Sequence, residues 1–307
     1  MIHIEKYIIK KMDIPNNFKE RYSSIISDFN ILSEPLPKSF RVNTIKTTIK
    51  EIKERFKKYN INIKRLDFYK EAFISESPEI GKTLEHFLGY IYSQEITSML
   101  PPLTILTELK EANLILDACA APGSKTTQLA TLTNGTIIAN DLDYQRIKAL
   151  KHNIEKTGAI NTIITNQDLR RIKDIEPDII LLDAPCSAEG TTRKNPEVFN
   201  YWSIKDILKH SNLQKQLILK SYELLKPKGI LIYSTCTFAP EENEEVINYL
   251  LNKTNAKLEK INLNLKTREG ILNFNNKEYN KEIKKCIRII PEDNNSGGFF
   301  IAKIKKC

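Results

Sequence analysis

Asp117-Ala118-Cys119-Ala120-Ala121-Pro122-Gly123-Ser124-Lys125-Thr126 is the stretch whose reading decides the fold. An apolar run at 114–116 precedes it and a helical pattern at 128–132 follows it. Strand, sharp turn and helix in that order bring backbone N–H groups to a ligand at the carboxyl edge of a parallel sheet. The stretch lacks the three-glycine spacing of dinucleotide-binding turns. It also lacks the P-loop pattern, since no glycine stands immediately before Lys125.

Working outward, strand and helix patterns alternate. Strands are predicted at 114–117, 136–140, 160–165, 178–182 and 230–233, with helices over 124–132, 144–156 and about 204–225. Gly158 suits the end of the second helix. A helix over 241–252 is expected to open with Glu241, Glu242, Glu244 and Glu245 near its positive end. Late strands are expected at 258–261, 286–290 and 299–304, and 266–285 reads as an exposed excursion with few apolar anchors. The pattern predicts an α/β fold, a mostly parallel, doubly wound, Rossmann-like sheet with an added C-terminal antiparallel hairpin.

Upstream, residues 1–32 read as helical, with Ile8, Ile9, Phe18, Tyr22, Ile25, Ile26 and Phe29 as apolar positions, and Pro35 and Pro37 follow. A short strand at 39–44, an amphipathic helix at 48–59 and a second strand near Phe73 and Ile74 make a small α/β unit over 1–80. Residues 81–110 read as a helical connection, with Pro101 and Pro102 marking a kink or the start of a further segment. Gln94 suits either a turn contact to ligand or a helix cap. Arg41 and Asn43 are candidates to face RNA, and Arg41 equally suits pairing with an acidic neighbour at the domain junction.

The 307 residues are 41% apolar, enough for a core, and no stretch has the length and apolarity of a membrane span. The charged start, 1–11, lacks a secretory apolar region, so a cytoplasmic, soluble protein is expected. The five cysteines contain no close pair and are odd in number, which argues against a disulfide scaffold or a zinc site. Formal charge is +9, with 16 Lys and Arg against 11 Asp and Glu in residues 1–80. That excess suits a polyanion such as nucleic acid or a solvated lysine-rich surface.

Asp117, Asp141, Asp168, Asp183 and Cys236 all fall at or just past predicted parallel strand ends. Such edges bind ligands. Asp141 suits ribose hydroxyls or an N-cap, and Asp168 an adenine amino group or a cap. Asp183-Ala184-Pro185-Cys186 and Ser234-Thr235-Cys236 point to base chemistry. Carbon 5 of cytosine is a poor nucleophile, and a thiolate added to carbon 6 makes an enamine that can take a methyl group. Asp183 is placed to offset charge at the ring. A free cysteine after a buried strand also serves as core filling.

The motifs at 117–126, 183–187 and 233–237, with Glu241-Glu242-Asn243-Glu244, Arg288-Ile289-Ile290-Pro291 and Gly298-Phe299-Phe300, resemble the RNA cytosine-C5 methyltransferases of the Nop/Sun type. The resemblance covers about 38–304. It implies an S-adenosylmethionine-dependent methyltransferase fold, with a small basic RNA-binding domain at 1–80 and a catalytic domain at 111–307. The donor would lie on Cys119, Ala120, Ala121, Pro122, Gly123, Ser124 and Lys125, with Asp141, Leu142, Arg146, Asp168 and Asp183 around it. Cys236 would attack, Cys186 would aid product release, and Lys125 and Asp183 would meet the base or align each other. Arg41 and Asn43 match a motif on the substrate side. The expected partner is RNA, tRNA in preference to rRNA, for a monomer without metal or membrane. A catalytically silent RNA-binding subunit on the same fold is the alternative. Ala188 and Glu189 replace a usual Gly and Thr, Gly297 a usual Asp, and Ser124 a common Gly.

Overall fold

The computed structural model describes residues 14–307, so Ile8 and Ile9 of the expected first helix lie outside the described residues. Lys38–Val42 (β1), Ile63–Arg65 (β2), Ala72–Ser75 (β3) and Ile91–Ser93 (β4) form a small antiparallel sheet in the order β2-β3-β1-β4. Helix Ile49–Lys58 covers one face because Ile52 and Phe56 share a side. A capping box starts it, with the Glu51 N–H donating to Thr48 Oγ1 at 3.2 Å and the Thr48 N–H donating to Glu51 at 2.8 Å. Phe40 stacks on Phe73 with ring centroids 5.6 Å apart. β4 falls in the segment expected to be a helical connection; at three residues it is too short to show a strand period.

The helix expected over 1–32 is, among the described residues, Asn16–Tyr22 followed by a 3-10 turn at Phe29–Ser33. Ser23 and Asp28 between them bond to nearby backbone, which competes with helix. Asp28 accepts from the Asn30 N–H at 2.9 Å. Phe18 and Tyr22 do not pack on the small sheet. They are fully buried against aromatic side chains of the second half, Phe18 meeting Phe199 and Trp202 edge-on at 5.1 and 5.3 Å.

Leu114–Asp117 (β5), Thr136–Asn140 (β6), Thr162–Thr165 (β7), Ile179–Asp183 (β8), Ile230–Thr235 (β9), Lys257–Glu259 (β10) and Arg268–Glu269 (β11) enter the large sheet. A separate hairpin, Asn273–Phe274 (β12) and Lys277–Glu278 (β13), precedes Ile287–Ile289 (β14) and Phe299–Lys305 (β15). The order is β11-β14-β15-β9-β8-β5-β6-β7, with β10 on β15. Strands β7-β6-β5-β8-β9 run parallel and β15 inserts antiparallel between β9 and β14. This is the Rossmann-like architecture of class-I S-adenosylmethionine-dependent methyltransferases, with added N-terminal elements. Helices Ser124–Leu132, Tyr144–Thr157 and Ile204–Leu224 match their predicted positions, and Gly158 ends the second in the left-handed region at φ 74°.

Two local expectations are corrected. The helix expected from 241 begins at Glu244, so Glu241 and Glu242 lie in the preceding turn. The stretch 266–285 is not a bare excursion, because its few apolar anchors are used: Ile283 and Tyr279 are buried in the large core.

Arg41 and Asn43, expected to face RNA, are both fully buried at the junction of the two sheets. Arg41 Nε donates to Gln94 Oε1 at 2.8 Å and its Nη2 to Thr127 Oγ1 at 2.6 Å. Asn43 Nδ2 donates to the carbonyls of Gly89 and Thr157, each at 2.8 Å. Neither presents a group to solvent, and the acid expected for Arg41 is replaced by neutral oxygens. Gln94 is thus a junction residue rather than a cap. Arg41→Met is expected to lower unfolding stability by about 3 kcal/mol, since buried acceptors lose a charged donor. Urea denaturation measures this, and the salt dependence of RNA binding should stay as in the wild type.

Candidate active site

The corner at 117–126 forms as its residues dictate. Gly123 sits at φ 102°, and a Cβ there would lie 2.9 Å from Leu150 Cδ1. The turn feeds the helix Ser124–Leu132, whose first N–H groups point out of the helix toward the cavity. A cavity of about 320 Å³ opens at the carboxyl ends of β5 and β8. Cys119, Ala120, Ala121, Pro122, Ser124 and Lys125 line it on the donor side. Arg146, Asp183 and Cys236 also line it, as do Gln94 and Phe299.

Asp117, placed by the sequence at the ligand edge but given no specific role there, is the most telling group. Its Oδ2 accepts from Thr126 Oγ1 at 2.7 Å, while its Oδ1 is buried without a partner. Burial pushes this carboxyl up to about 7 against the pull of the Thr126 hydroxyl. An unpartnered carboxylate oxygen on a residue that lines a cavity fits the ammonium group of a bound amino acid. The α-ammonium of S-adenosylmethionine meets that requirement, with the helix N-terminus beside it.

Five of the expected donor-binding and catalytic residues lie off the cavity wall. Gly123 shapes the turn. Asp141 is nearly buried, and its carboxylate accepts from the N–H groups of Ala121 and Asp143, each at 3.0 Å. It therefore braces the donor turn, and Asp143 rather than Asp141 caps the next helix. Leu142 is exposed beside it. Asp168 caps a 3-10 turn and holds Arg170 through Nε at 2.9 Å and Nη2 at 2.6 Å, which lowers its carboxyl below the ordinary value. The fifth is Cys186.

On the base side, Lys125 Nζ meets Asp183 Oδ2 at 2.6 Å, and Ser234 Oγ donates to Asp183 Oδ1 at 2.7 Å. Cys186 and Cys236 are both free, with their Sγ atoms 3.3 Å apart. The two thiols are unequal. Cys236 lines the cavity and Cys186 does not. The contact with Cys236, reinforced by burial, holds Cys186 well above the ordinary thiol range. A protonated Cys186 can then donate toward the Cys236 sulfur.

The unusual loop after Cys186 is also accounted for. Ala188 adopts φ 60°, the left-handed region that favours glycine. Gly190 donates its N–H to the Cys236 carbonyl at 2.9 Å, and a Cβ there would lie 2.2 Å from the Gly298 carbonyl oxygen. The Gly297 N–H donates to Glu95 Oε1 at 2.9 Å, so an aspartate at 297 would set two carboxylates together.

The fold, with a cavity at the carboxyl ends of its parallel strands, defines a class: an S-adenosylmethionine-dependent methyltransferase. Comparison with known proteins narrows it. The sequence matches the family described as 16S rRNA methyltransferase RsmB/F over residues 104–305, and the N-terminal domain of 16S rRNA methyltransferase RsmF over 14–96. It is 42% identical to the tRNA (cytosine(49)-C(5))-methyltransferase of Pyrococcus abyssi, across 96% of this chain and 99% of that one. It is 35% identical to ribosomal RNA small subunit methyltransferase F of Vibrio atlanticus, covering 95% of this chain and 64% of that protein. A methyltransferase homolog from Pyrococcus horikoshii has the same fold, with TM-score 0.84, 34% identity and 96% of each chain covered. The chain belongs to the RsmB/F family, and it is an RNA cytosine-C5 methyltransferase that uses S-adenosylmethionine. Among the described residues no His, Cys, Asp and Glu cluster suits a metal, and no helix is long and apolar enough to cross a membrane.

A cation bound at Asp117 must displace the proton that burial keeps there near neutrality. Donor affinity should therefore rise with pH through about 7, with release of part of a proton on binding. Calorimetry in buffers of different ionisation enthalpy reads this directly. Asp117→Asn should abolish the proton release and weaken binding about 10–100-fold.

Proposed function

We propose that the chain methylates a cytosine in tRNA, acting as a monomer, with Cys236 as the attacking thiolate. The observation that carries the assignment is that Cys236 lines the cavity while Cys186, with its Sγ 3.3 Å from that of Cys236, does not. The sulfonium of bound S-adenosylmethionine supplies an electrophilic methyl group. Cys236 adds through Sγ to carbon 6 of the base and raises the electron density at carbon 5. Lys125 and Asp183, bonded to each other at 2.6 Å, orient the ring and offset charge at its polar edge. After carbon 5 is methylated its proton passes to water, the electron pair of that C–H bond reforms the 5,6 double bond, and the Cys236 sulfur departs as a thiolate that can take the Cys186 proton. Cys186, 3.3 Å away, assists this release. Asp141 and Arg146 hold the donor turn from below. Contact of Asp141 with ribose or of Asp168 with adenine would require each carboxylate to give up part of its present hydrogen bonds.

The preference for tRNA rests on length as well as identity. The Pyrococcus abyssi tRNA enzyme is matched over nearly its whole length, whereas the chain spans 64% of the ribosomal RNA enzyme. Cys236→Ala should abolish methylation, and Cys186→Ala should leave protein covalently on RNA in a denaturing gel. Equal methylation by wild type and Cys236→Ala would remove the nucleophile assignment. Mapping 5-methylcytosine across total RNA with and without the gene should show the loss in tRNA; a loss confined to ribosomal RNA would favour the other substrate.

A further inference from the structure

Behind the two thiols lies a buried polar cluster to which the reaction scheme above gives no part. It is built on Glu242 and Asn243, the turn just before the helix Glu244–Lys253. Both side chains are fully buried. Asn243 reaches the turn that carries Cys236. Its Oδ1 accepts from Thr235 Oγ1 at 2.5 Å and its Nδ2 donates to the Thr237 carbonyl at 3.0 Å, so it grips the residues on either side of Cys236. Glu242 reaches the other loop. Its Oε2 accepts from the Ser187 N–H at 3.0 Å and its Oε1 from the Ser187 hydroxyl, directly after Cys186. Gln214 Nε2 completes that grip, donating to Glu242 at 2.8 Å and to the Pro185 carbonyl at 2.8 Å.

The two grips are joined. The Ser187 and Thr237 hydroxyls lie 2.8 Å apart, and Thr237 also donates to Glu189 at 2.7 Å. Glu189 further accepts from Tyr22 at 2.7 Å and from the Phe238 N–H at 3.1 Å. Among the described residues no salt bridge reaches Glu242 or Glu189. Two buried carboxyls without a cation persist only where their hydrogen bonds are worth keeping. Burial lifts Glu242 to about 7, and the Ser187 and Gln214 donors draw it back. A cluster that merely filled the core would be replaced at less cost by apolar side chains.

We propose that Glu242 and Asn243 are positioning residues for the two thiols, Asn243 chiefly aligning Cys236 for attack and Glu242 chiefly aligning Cys186 for release. The inference rests on the two-cysteine reading above. A displacement of a reacting group by about 1 Å is worth about 100-fold in rate, so loss of one grip should impair one step and leave the other.

The experiment incubates each variant with tRNA and S-adenosylmethionine, and follows both methylated product and covalent protein–RNA adduct. Glu242→Gln keeps the volume but sets an amide hydrogen against the donors of Ser187 or Gln214. It should slow turnover about 10–100-fold, leave KM for both substrates unchanged, and accumulate adduct. Asn243→Asp removes the donor to the Thr237 carbonyl, and should slow turnover without accumulating adduct. Ser187→Ala removes the hydroxyl held by Glu242 and Thr237, and should also accumulate adduct; it decides the matter if Glu242→Gln has no cooperative thermal transition. Cys186→Ala is run beside them. If it traps adduct while Glu242→Gln, or Ser187→Ala in its place, turns over without accumulation, the positioning role is overturned and the two-cysteine reading stands. If Cys186→Ala itself traps nothing, the reading beneath it fails.

Discussion

The ion pair between Lys125 and Asp183 joins the two halves of the reaction. Lys125 lies in the first turn of the helix after β5 and Asp183 ends β8, the neighbouring strand, and their side chains meet at 2.6 Å above the edge of the two paired strands. The Lys125 side chain is only 7% exposed, and a charge so placed is costly unless paired. The pair therefore holds the donor corner and the base-binding edge at a constant separation. Ser234 extends the contact from Asp183 toward Cys236, two residues further along the same strand end. Methyl transfer needs that constancy, because proximity is effective only when both partners are held.

The outer parts of the chain maintain the corner rather than compete with it. The small sheet is tied to the donor helix through Arg41, whose guanidinium bonds Thr127. The N-terminal segment passes over the opposite side, where Arg21 pairs with Glu241 at 2.7 Å and Tyr22 reaches Glu189. Residues more than 160 positions apart thereby press on the loops that carry the cysteines. A change in the first described helix can thus reach the site without touching substrate.

Much of this was legible in the sequence, and the reason is local. Strand, Gly123 and helix follow one another within the corner at 117–126, so its turn could be read from neighbours alone. Asp183 and Cys236 announced themselves by ending apolar runs. What could not be read was burial set by distant segments. Arg41 sits in a basic region, and nothing nearby says that Gln94 and Thr127 enclose it. Asp117 could be placed at a strand end, but an orphaned oxygen is a property of the assembled cavity. The four glutamates beginning at 241 read as helix-dipole partners, whereas Glu242 precedes the helix and Glu244 is buried against Arg288, 44 residues later.

The central claim is that one thiol attacks while the other stays behind it. RNA substituted with 5-azacytidine tests this most directly. Nitrogen replaces carbon 5 of its base, so the methylated adduct has no proton to lose there and the sulfur cannot depart. Mass spectrometry of the digested complex, formed with wild-type protein and S-adenosylmethionine, should find the nucleotide on Cys236. Attachment to Cys186, or none at all, would contradict the account.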